Sequence, residues 1–125
     1  SHWAVLDPIA AVVVSVFIMR TAYTLVGQSM GELLEKSLPE DVERQIADLA
    51  SEEPTVSAIH HLRTRRIGSH IAIEMHVRMP GALSLYEAHQ HASNIEQRLR
   101  ERFGEETYIN LHVEPVKVNG EYVKP

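Results

Sequence analysis

The segment Ala58–Met79, AIHHLRTRRIGSHIAIEMHVRM, decides the fold of this chain. Its second half alternates strictly between apolar and polar residues, which predicts a β-strand that buries one of its two faces. The apolar face carries Ile71, Ile73, Met75, Val77 and Met79, and the polar face carries Glu74, His76 and Arg78. Gly68-Ser69 supplies the turn of a β-hairpin to a preceding strand over residues 55–66.

The first strand of this hairpin changes its apolar phase. Ala58 and Leu62 have the same parity as His60, whereas Ile59 has the other. A β-bulge near His60 would reconcile the two phases, and bulges often re-aim a side chain at a functional site.

Two helices and a third strand surround the hairpin. Pro39-Glu40-Asp41 opens a short amphipathic helix, and residues 83–103 form a longer one that ends at the C-cap Gly104. The longer helix has one apolar stripe: Leu85, Ala88, Ala92, Ile95, Leu99 and Phe103. Residues 107–114 alternate as a strand, with Ile109, Leu111 and Val113 opposite Asn110, His112 and Glu114. We expect the polar tail up to Pro125 to fray.

This element order predicts an α+β domain of the type α-β-β-α-β. The simplest packing of these elements is a three-stranded sheet with both helices on one face, which leaves the other face open. We place the domain at residues 37–118, after an N-terminal segment (1–36) and before a tail (119–125).

The N-terminal segment contains a long run that is almost uncharged, since Arg20 is the single charged residue among the 24 residues Pro8–Gly31. A membrane span needs about 20 mostly apolar residues. We therefore predict a transmembrane helix, with Asp7 as its N-cap and Pro8 at its first helical position. A buried helix of a soluble domain is the alternative, but residues 10–14 offer no polar face.

Composition excludes several classes of function. The 125 residues carry 12 basic and 17 acidic side chains, a net charge of −5, which argues against nucleic-acid binding. The absence of cysteine excludes disulfides and thiolate metal sites. Eight histidines are many for this length, and four of them (His60, His61, His70 and His76) lie in the hairpin segment.

A metal site is the favoured interpretation of these histidines. His76, His112 and Glu114 share the polar face of their strands, so neighbouring strands would place three metal-ligand side chains together. His60 beside the bulge could add a fourth ligand, whereas His89 could join only around a sheet edge or across a dimer interface. The alternatives are ordinary strand histidines at 60, 61 and 76, a turn residue at 70, and solvent-facing residues at 91 and 2.

Catalysis has little support. The sequence has no nucleophile elbow, no HExxH motif on a helix and no glycine-rich loop after a strand. An open sheet face also offers no concave pocket for a hydrolytic zinc enzyme. We therefore do not expect an enzyme.

The chain resembles the cation diffusion facilitators, a family of divalent-metal/proton antiporters that includes zinc and ferrous-iron efflux transporters. The resemblance runs from Trp3 to about Pro115, and HxLRTR (60–65) and HxEP (112–115) are its most specific motifs. The other matching stretches are WAVLDP (3–8), ELLEKSLPED (32–41), VSAIHHLRTRRIG (56–68), IEMHVRMP (73–80), EAHQHA (87–92) and INLHVEP (109–115).

The resemblance implies that residues 7–31 are the last transmembrane helix. It implies that residues from Leu38 onward are a cytoplasmic, metallochaperone-like (ferredoxin-like) domain that dimerises and senses metal. The protein as a whole would lie in the inner membrane. The partners it implies are a second copy of the domain, the other transmembrane helices and the membrane, with no nucleic acid. The family's transport site lies on other membrane helices, outside this sequence.

The resemblance also implies a ligand set for a two-zinc cluster: His60, His76, His89 and His112, with Glu114 at the position of a bridging aspartate. His61 stands where relatives have an acidic residue, which makes it a further candidate ligand. Glu35 matches an acidic residue that pairs with a lysine near the membrane junction. Zn²⁺ suits these ligands, as do Fe²⁺, Mn²⁺, Co²⁺ and Ni²⁺. The alternative function is a structural dimerisation module that binds no metal.

Overall fold

A computed structural model describes residues 2–125, so Ser1 lies outside the described part of the predicted N-terminal segment. The chain forms two compact units, of which the first ends at Glu35 and the second begins at Lys36. The elements are α1 (His2–Leu33), α2 (Glu40–Ser51), β1 (Ala58–Ile67), β2 (His70–Met79), α3 (Leu85–Phe103), β3 (Tyr108–Pro115), β4 (Lys117–Val118) and β5 (Glu121–Tyr122).

Helix α1 is a single 32-residue helix with Pro8 in its interior. The expectation that Asp7 caps the helix is therefore wrong, because the helix already runs through residues 2–7. By length and composition, the helix is long and apolar enough to cross a membrane. Ser15, Thr21 and Thr24 donate their hydroxyl hydrogens to backbone carbonyls four residues earlier, which satisfies these polar groups within the helix.

The second unit is built on a three-stranded sheet with the order β1-β2-β3. Strand β1 pairs antiparallel with β2, and β3 pairs parallel with β2. The register of β1 shifts between His60 and Arg63, and His61 within this shift has a φ of 51°. The predicted bulge is thus confirmed. It moves the inward parity from Ile59 to Leu62 and Thr64, which accounts for the phase change in the sequence.

The alternating pattern of β2 is confirmed. Ile73, Met75, Val77 and Met79 are at most 2 % exposed and form the core with residues of both helices: Ile46, Ala50, Ile95 and Leu99. Helix α3 begins with a capping box in which the Ser84 side chain accepts a hydrogen bond from the Glu87 backbone N–H. Leu85 at the start of α3 is 87 % exposed, so its predicted place in the buried stripe is wrong.

A buried polar cluster joins the C-terminal end of α2 to α3. The carboxylate of Glu53 accepts hydrogen bonds from His91 Nδ1 (2.6 Å), from Asn94 Nδ2 (3.0 Å) and from the Arg98 guanidinium. The expectation that His91 faces solvent is wrong, because its side chain is only 22 % exposed and is held by this carboxylate.

The tail after β3 is ordered as a second, two-stranded sheet of β4 and β5. Its turn is Asn119-Gly120, with φ values of 52° and 80°. These are the positive φ values of a type I′ turn, which an Asn-Gly pair adopts at little cost. The expectation of a frayed tail is therefore wrong, and Asn-Gly is the sequence signal that could have corrected it.

Candidate metal centre

The strand register places the polar faces of β1, β2 and β3 side by side. His60 pairs with His76 across the antiparallel ladder, and His76 pairs with His112 across the parallel ladder. Two pairs further along, and therefore on the same face of the sheet, Arg78 lies beside Glu114. Side chains directly opposite on neighbouring strands are close enough to interact, so the three strands assemble one continuous polar site.

Four imidazole rings form the centre of this site. The His76 ring centroid lies 5.2 Å from that of His60, 5.0 Å from that of His61 and 4.6 Å from that of His112. His61 reaches the cluster because the bulge interrupts the alternation of β1, so the rings of two consecutive residues, His60 and His61, both lie near the His76 ring. Ligand atoms of two overlapping groups, His60-His61-His76 and His76-His112-Glu114, lie within 4.8 Å of one another in each group.

Glu114 is the buried carboxylate of the cluster, with only 6 % of its surface exposed. Its Oε1 accepts a hydrogen bond from His76 Nδ1 at 2.8 Å and lies 3.2 Å from His60 Nε2. Burial raises the pKa of this carboxyl group, but the His76 hydrogen bond and the attraction of His60, His76 and Arg78 outweigh burial and lower the pKa to about 2. Glu114 is therefore an anion throughout the neutral range.

The chemistry of these donors fits a divalent metal ion. In a neutral His76, Nδ1–H donates its hydrogen bond to Glu114, which leaves a free lone pair on Nε2. His60 Nδ1 is buried and has no hydrogen-bond partner among the described residues. Burial lowers the pKa of His60, which keeps its imidazole in the neutral form that metals bind. Imidazole and carboxylate donors of this kind suit zinc and similar divalent ions.

The remaining candidate residues lie outside the imidazole cluster. His89 is an exposed residue of α3 and lines a cleft of about 490 Å³ that Glu114 also borders. His70 begins β2, and its Nε2 lies 2.6 Å from Glu106 Oε2. His91 belongs to the Glu53 cluster, and His2 lies in α1. Glu35 is exposed just after α1, with a φ of 50°.

Two residues of the site were not among the sequence candidates. Arg78 Nε lies 3.6 Å from Glu114 Oε2, and the Tyr122 hydroxyl donates to the same oxygen at 3.4 Å. Arg78 follows His76 by two residues, so the alternation of β2 places both side chains on the same face. Arg78 could therefore have been predicted as a neighbour of the site. The position of Tyr122 depends on how the β4–β5 hairpin folds back, which no periodicity encodes.

The element order α-β-β-α-β around a three-stranded sheet defines a ferredoxin-like domain, and the histidine and carboxylate cluster on the sheet is its candidate metal centre. Residues 38–116 match the family model described as the cytoplasmic domain of cation efflux proteins. The chain belongs to this cation efflux family, the cation diffusion facilitators.

Bacterial cation-efflux pumps are among its relatives. The chain is 35 % identical over 116 residues to the cation-efflux pump FieF of Shewanella oneidensis and 36 % identical over 110 residues to FieF of Pectobacterium atrosepticum. These matches cover 93 % and 88 % of this chain but only 38 % and 36 % of the two pumps. The chain thus spans less than half of the length of these relatives.

Solved structures of cation efflux domains have the same fold. A solved structure of CzrB, described as a proposed zinc transporter, superposes with a TM-score of 0.59 at 28 % identity, and the match covers 64 % of this chain and 99 % of the solved CzrB chain. Its zinc form gives a TM-score of 0.60 at 27 % identity, with coverages of 71 % and 98 %. A MamM C-terminal domain gives 0.57 at 20 % identity, with coverages of 62 % and 98 %, and supports the fold alone.

Proposed function

We propose that this chain is the metal-sensing and dimerisation part of a divalent-cation/proton antiporter that exports zinc or a similar metal. The observation that carries the proposal is the convergence of four imidazoles and one buried carboxylate from three strands on one sheet face. The FieF relatives are named as cation-efflux pumps, and CzrB is described as a proposed zinc transporter, which supports a transport role and zinc as the first metal to test.

In this proposal α1 is a membrane helix at the inner membrane, next to the other helices of the transporter, and the unit from Lys36 onward is cytoplasmic. Glu35 would meet its lysine partner on one of those helices. Transport itself requires the site that the resemblance places on those helices. We propose no enzymatic reaction for the chain.

The residues of the cluster would bind a divalent ion in defined roles. His60, His61, His76 and His112 would supply neutral nitrogen donors, and Glu114 would supply the anionic oxygen that balances the charge of the ion. A metal ion binds the deprotonated forms of these groups, so it would take the place of protons at the imidazoles and the carboxylate. His89 borders the cleft that Glu114 also lines, so in this proposal it would join the site around the sheet edge or across the interface of a homodimer.

Metal binding would then tighten the homodimer and bias the attached membrane helices. A ligand shifts a conformational equilibrium only by its different affinity for the two states, and a site shared between subunits provides that difference.

The test is isothermal titration of zinc into the chelator-treated full chain in detergent at neutral pH. We expect saturable binding that is weakened at least about tenfold by His76→Ala and by Glu114→Ala, as loss of metal-site residues commonly does. His70→Ala is the matched control, since His70 lies outside the cluster and contacts Glu106. Equal binding by all four proteins, or none by the wild type, would contradict the metal site.

Small-angle scattering tests the sensing role separately. We expect the zinc-bound homodimer to be more compact than the chelated one and to melt at a higher temperature, because a ligand of the native state stabilises it by mass action. Identical scattering profiles and melting curves would refute sensing even if zinc binds.

A metal-independent dimerisation module is the second candidate. The observation in its favour is that Glu114 already has His60, His76 and Arg78 around it without an ion. This function predicts that His76→Ala and His112→Ala leave the melting temperature unchanged in the presence of zinc, while the chain remains a dimer.

A further inference from the structure

The C-terminal hairpin is held in a defined shape by its own contacts. The Val123 backbone N–H donates to the Val116 carbonyl at 2.8 Å, and the Lys117 ammonium lies 4.4 Å from the centre of the Tyr122 ring. A cation over an aromatic face at this distance is attracted to the ring. Together with the Asn119-Gly120 turn, these contacts fix the side of the hairpin on which Tyr122 lies.

The hairpin is also fixed to the end of the main sheet. The Val116 backbone N–H donates to the Met79 carbonyl at 3.1 Å, directly after the last pair of the β2–β3 ladder. At Gly81 the chain approaches the hairpin so closely that a Cβ atom would lie 2.9 Å from the Val123 carbonyl oxygen. The hairpin therefore reaches the end of the sheet where Glu114 lies.

The two oxygens of Glu114 have different surroundings as a result. Oε1 faces His60 and His76, whereas Oε2 faces the Tyr122 hydroxyl at 3.4 Å and Arg78 Nε at 3.6 Å. A phenol donates one hydrogen bond, and a carboxylate only accepts. The contact with Tyr122 therefore restrains the rotation that would exchange the two oxygens.

We infer that Tyr122 is a positioning residue of the metal site, which holds Glu114 Oε1 towards the histidines through a hydrogen bond to Oε2. The inference rests on the proposed function, because it assumes that the histidine and Glu114 cluster binds a divalent ion. A glutamate has one more rotatable bond than an aspartate, so its carboxylate gains more from an outer contact that fixes it.

Tyr122→Phe is the test, because phenylalanine keeps the ring over Lys117 and removes only the hydroxyl. Outer partners of metal ligands commonly contribute about 10- to 100-fold in affinity. The Tyr122 contact is long, and the residue is 49 % exposed. We therefore expect zinc titration of the full chain in detergent to show a loss of only about three- to tenfold. Tyr108→Phe, on a tyrosine that is 52 % exposed at the start of β3, is the matched control and should titrate like the wild type.

Two further measurements separate positioning from a general structural role. The visible absorption of bound cobalt(II) should change in Tyr122→Phe but not in Tyr108→Phe, because the band reports on the ligands themselves. In a Glu114→Gln background, Tyr122→Phe should cause no further loss of zinc affinity, since its effect passes through the carboxylate.

Gly120→Val provides a second route to the same change, because its φ of 80° strains any residue with a branched side chain. Displacing the hairpin in this way should weaken zinc binding as much as Tyr122→Phe does. The inference is overturned if Tyr122→Phe binds zinc like the wild type, or if it costs the same with and without Glu114. A wild-type chain that takes up no zinc overturns the proposed function itself, and with it the inference.

Discussion

Glu53 and Glu114 are the buried carboxylates of the described chain, and their partners give them different roles. Glu53 is surrounded by donors: His91, Asn94 and Arg98 all give it hydrogen bonds. Glu114 instead lies against imidazoles whose nitrogen lone pairs are not all used, as His60 Nδ1 shows. Donors alone surround Glu53, which fits a structural role between the two helices, whereas the free lone pair beside Glu114 is what makes Glu114 a candidate metal ligand.

Replacement of Glu53 by glutamine should expose this structural role as a pH dependence. Burial raises the pKa of Glu53, but the hydrogen bonds from His91, Asn94 and Arg98 outweigh burial, so the folded pKa lies below the ordinary 4.5. The unfolded state therefore binds the proton more readily, and this contribution to stability is present above pH 4.5 and lost as the pH falls through the folded pKa.

We expect Glu53→Gln to lower the free energy of unfolding at neutral pH by about 1–3 kcal/mol. The variant should also flatten the acid limb, which is the fall in the free energy of unfolding as the pH drops below 4.5. Urea titrations of metal-free protein between neutral and acid pH would measure both effects. Glu52→Gln, at the neighbouring exposed position, is the control and should retain the limb. An unchanged limb in Glu53→Gln would show that other carboxylates cause it.

At the scale of elements, the sequence predicted what local periodicity encodes. The alternation of β2 and β3 placed His76, His112 and Glu114 on one face, and the phase change in β1 located the bulge. Periodicity is set by which side of an element is buried, so it survives in the sequence. Tertiary relations leave no such trace. Examples are the order of the strands in the sheet, the cleft that α3 shares with Glu114, and the contact of Tyr122 with Glu114. The Asn119-Gly120 turn is different, because its signal was present and local.

The bulge in β1 leads to a prediction in which stability and metal affinity move in opposite directions. His61 has a φ of 51°, a left-handed conformation that costs a residue with a Cβ atom about 1–2 kcal/mol. Glycine removes this cost but loses about 0.5–1 kcal/mol more entropy on folding. His61→Gly should therefore stabilise the metal-free domain by about 0.5–1 kcal/mol and weaken zinc binding, because an imidazole of the cluster is removed.

Thermal unfolding with chelator and calorimetric titration with zinc would measure the two effects. His61→Asn is the matched variant, because asparagine tolerates the left-handed region and also lacks the imidazole. It should weaken zinc binding as His61→Gly does. Unchanged affinity in both variants would remove His61 from the set of ligands.

At the scale of the whole molecule, the two units differ in how their apolar side chains are covered. No residue of α1 between His2 and Leu33 is buried, and its apolar side chains include Trp3, Phe17 and Leu25 at more than half exposure. An apolar surface of this extent requires a membrane, detergent or a protein partner to cover it. The unit from Lys36 onward has its own core and buried polar clusters, as an independently folding domain does.

We therefore expect residues 36–125 to fold without α1 and to bind zinc as the full chain does in detergent. The boundary is sharp, because Leu38 is 7 % exposed and its backbone N–H donates to the buried Thr64 hydroxyl at 3.0 Å. A chain that starts at Glu40 loses this side chain and this hydrogen bond, so it should be less stable by about 2–4 kcal/mol than one that starts at Lys36. Urea unfolding of the two truncated chains, with light scattering in detergent-free buffer, would measure the difference. Equal stabilities would show that Leu38 is not part of the folded unit, and aggregation of residues 36–125 would show that the unit depends on α1.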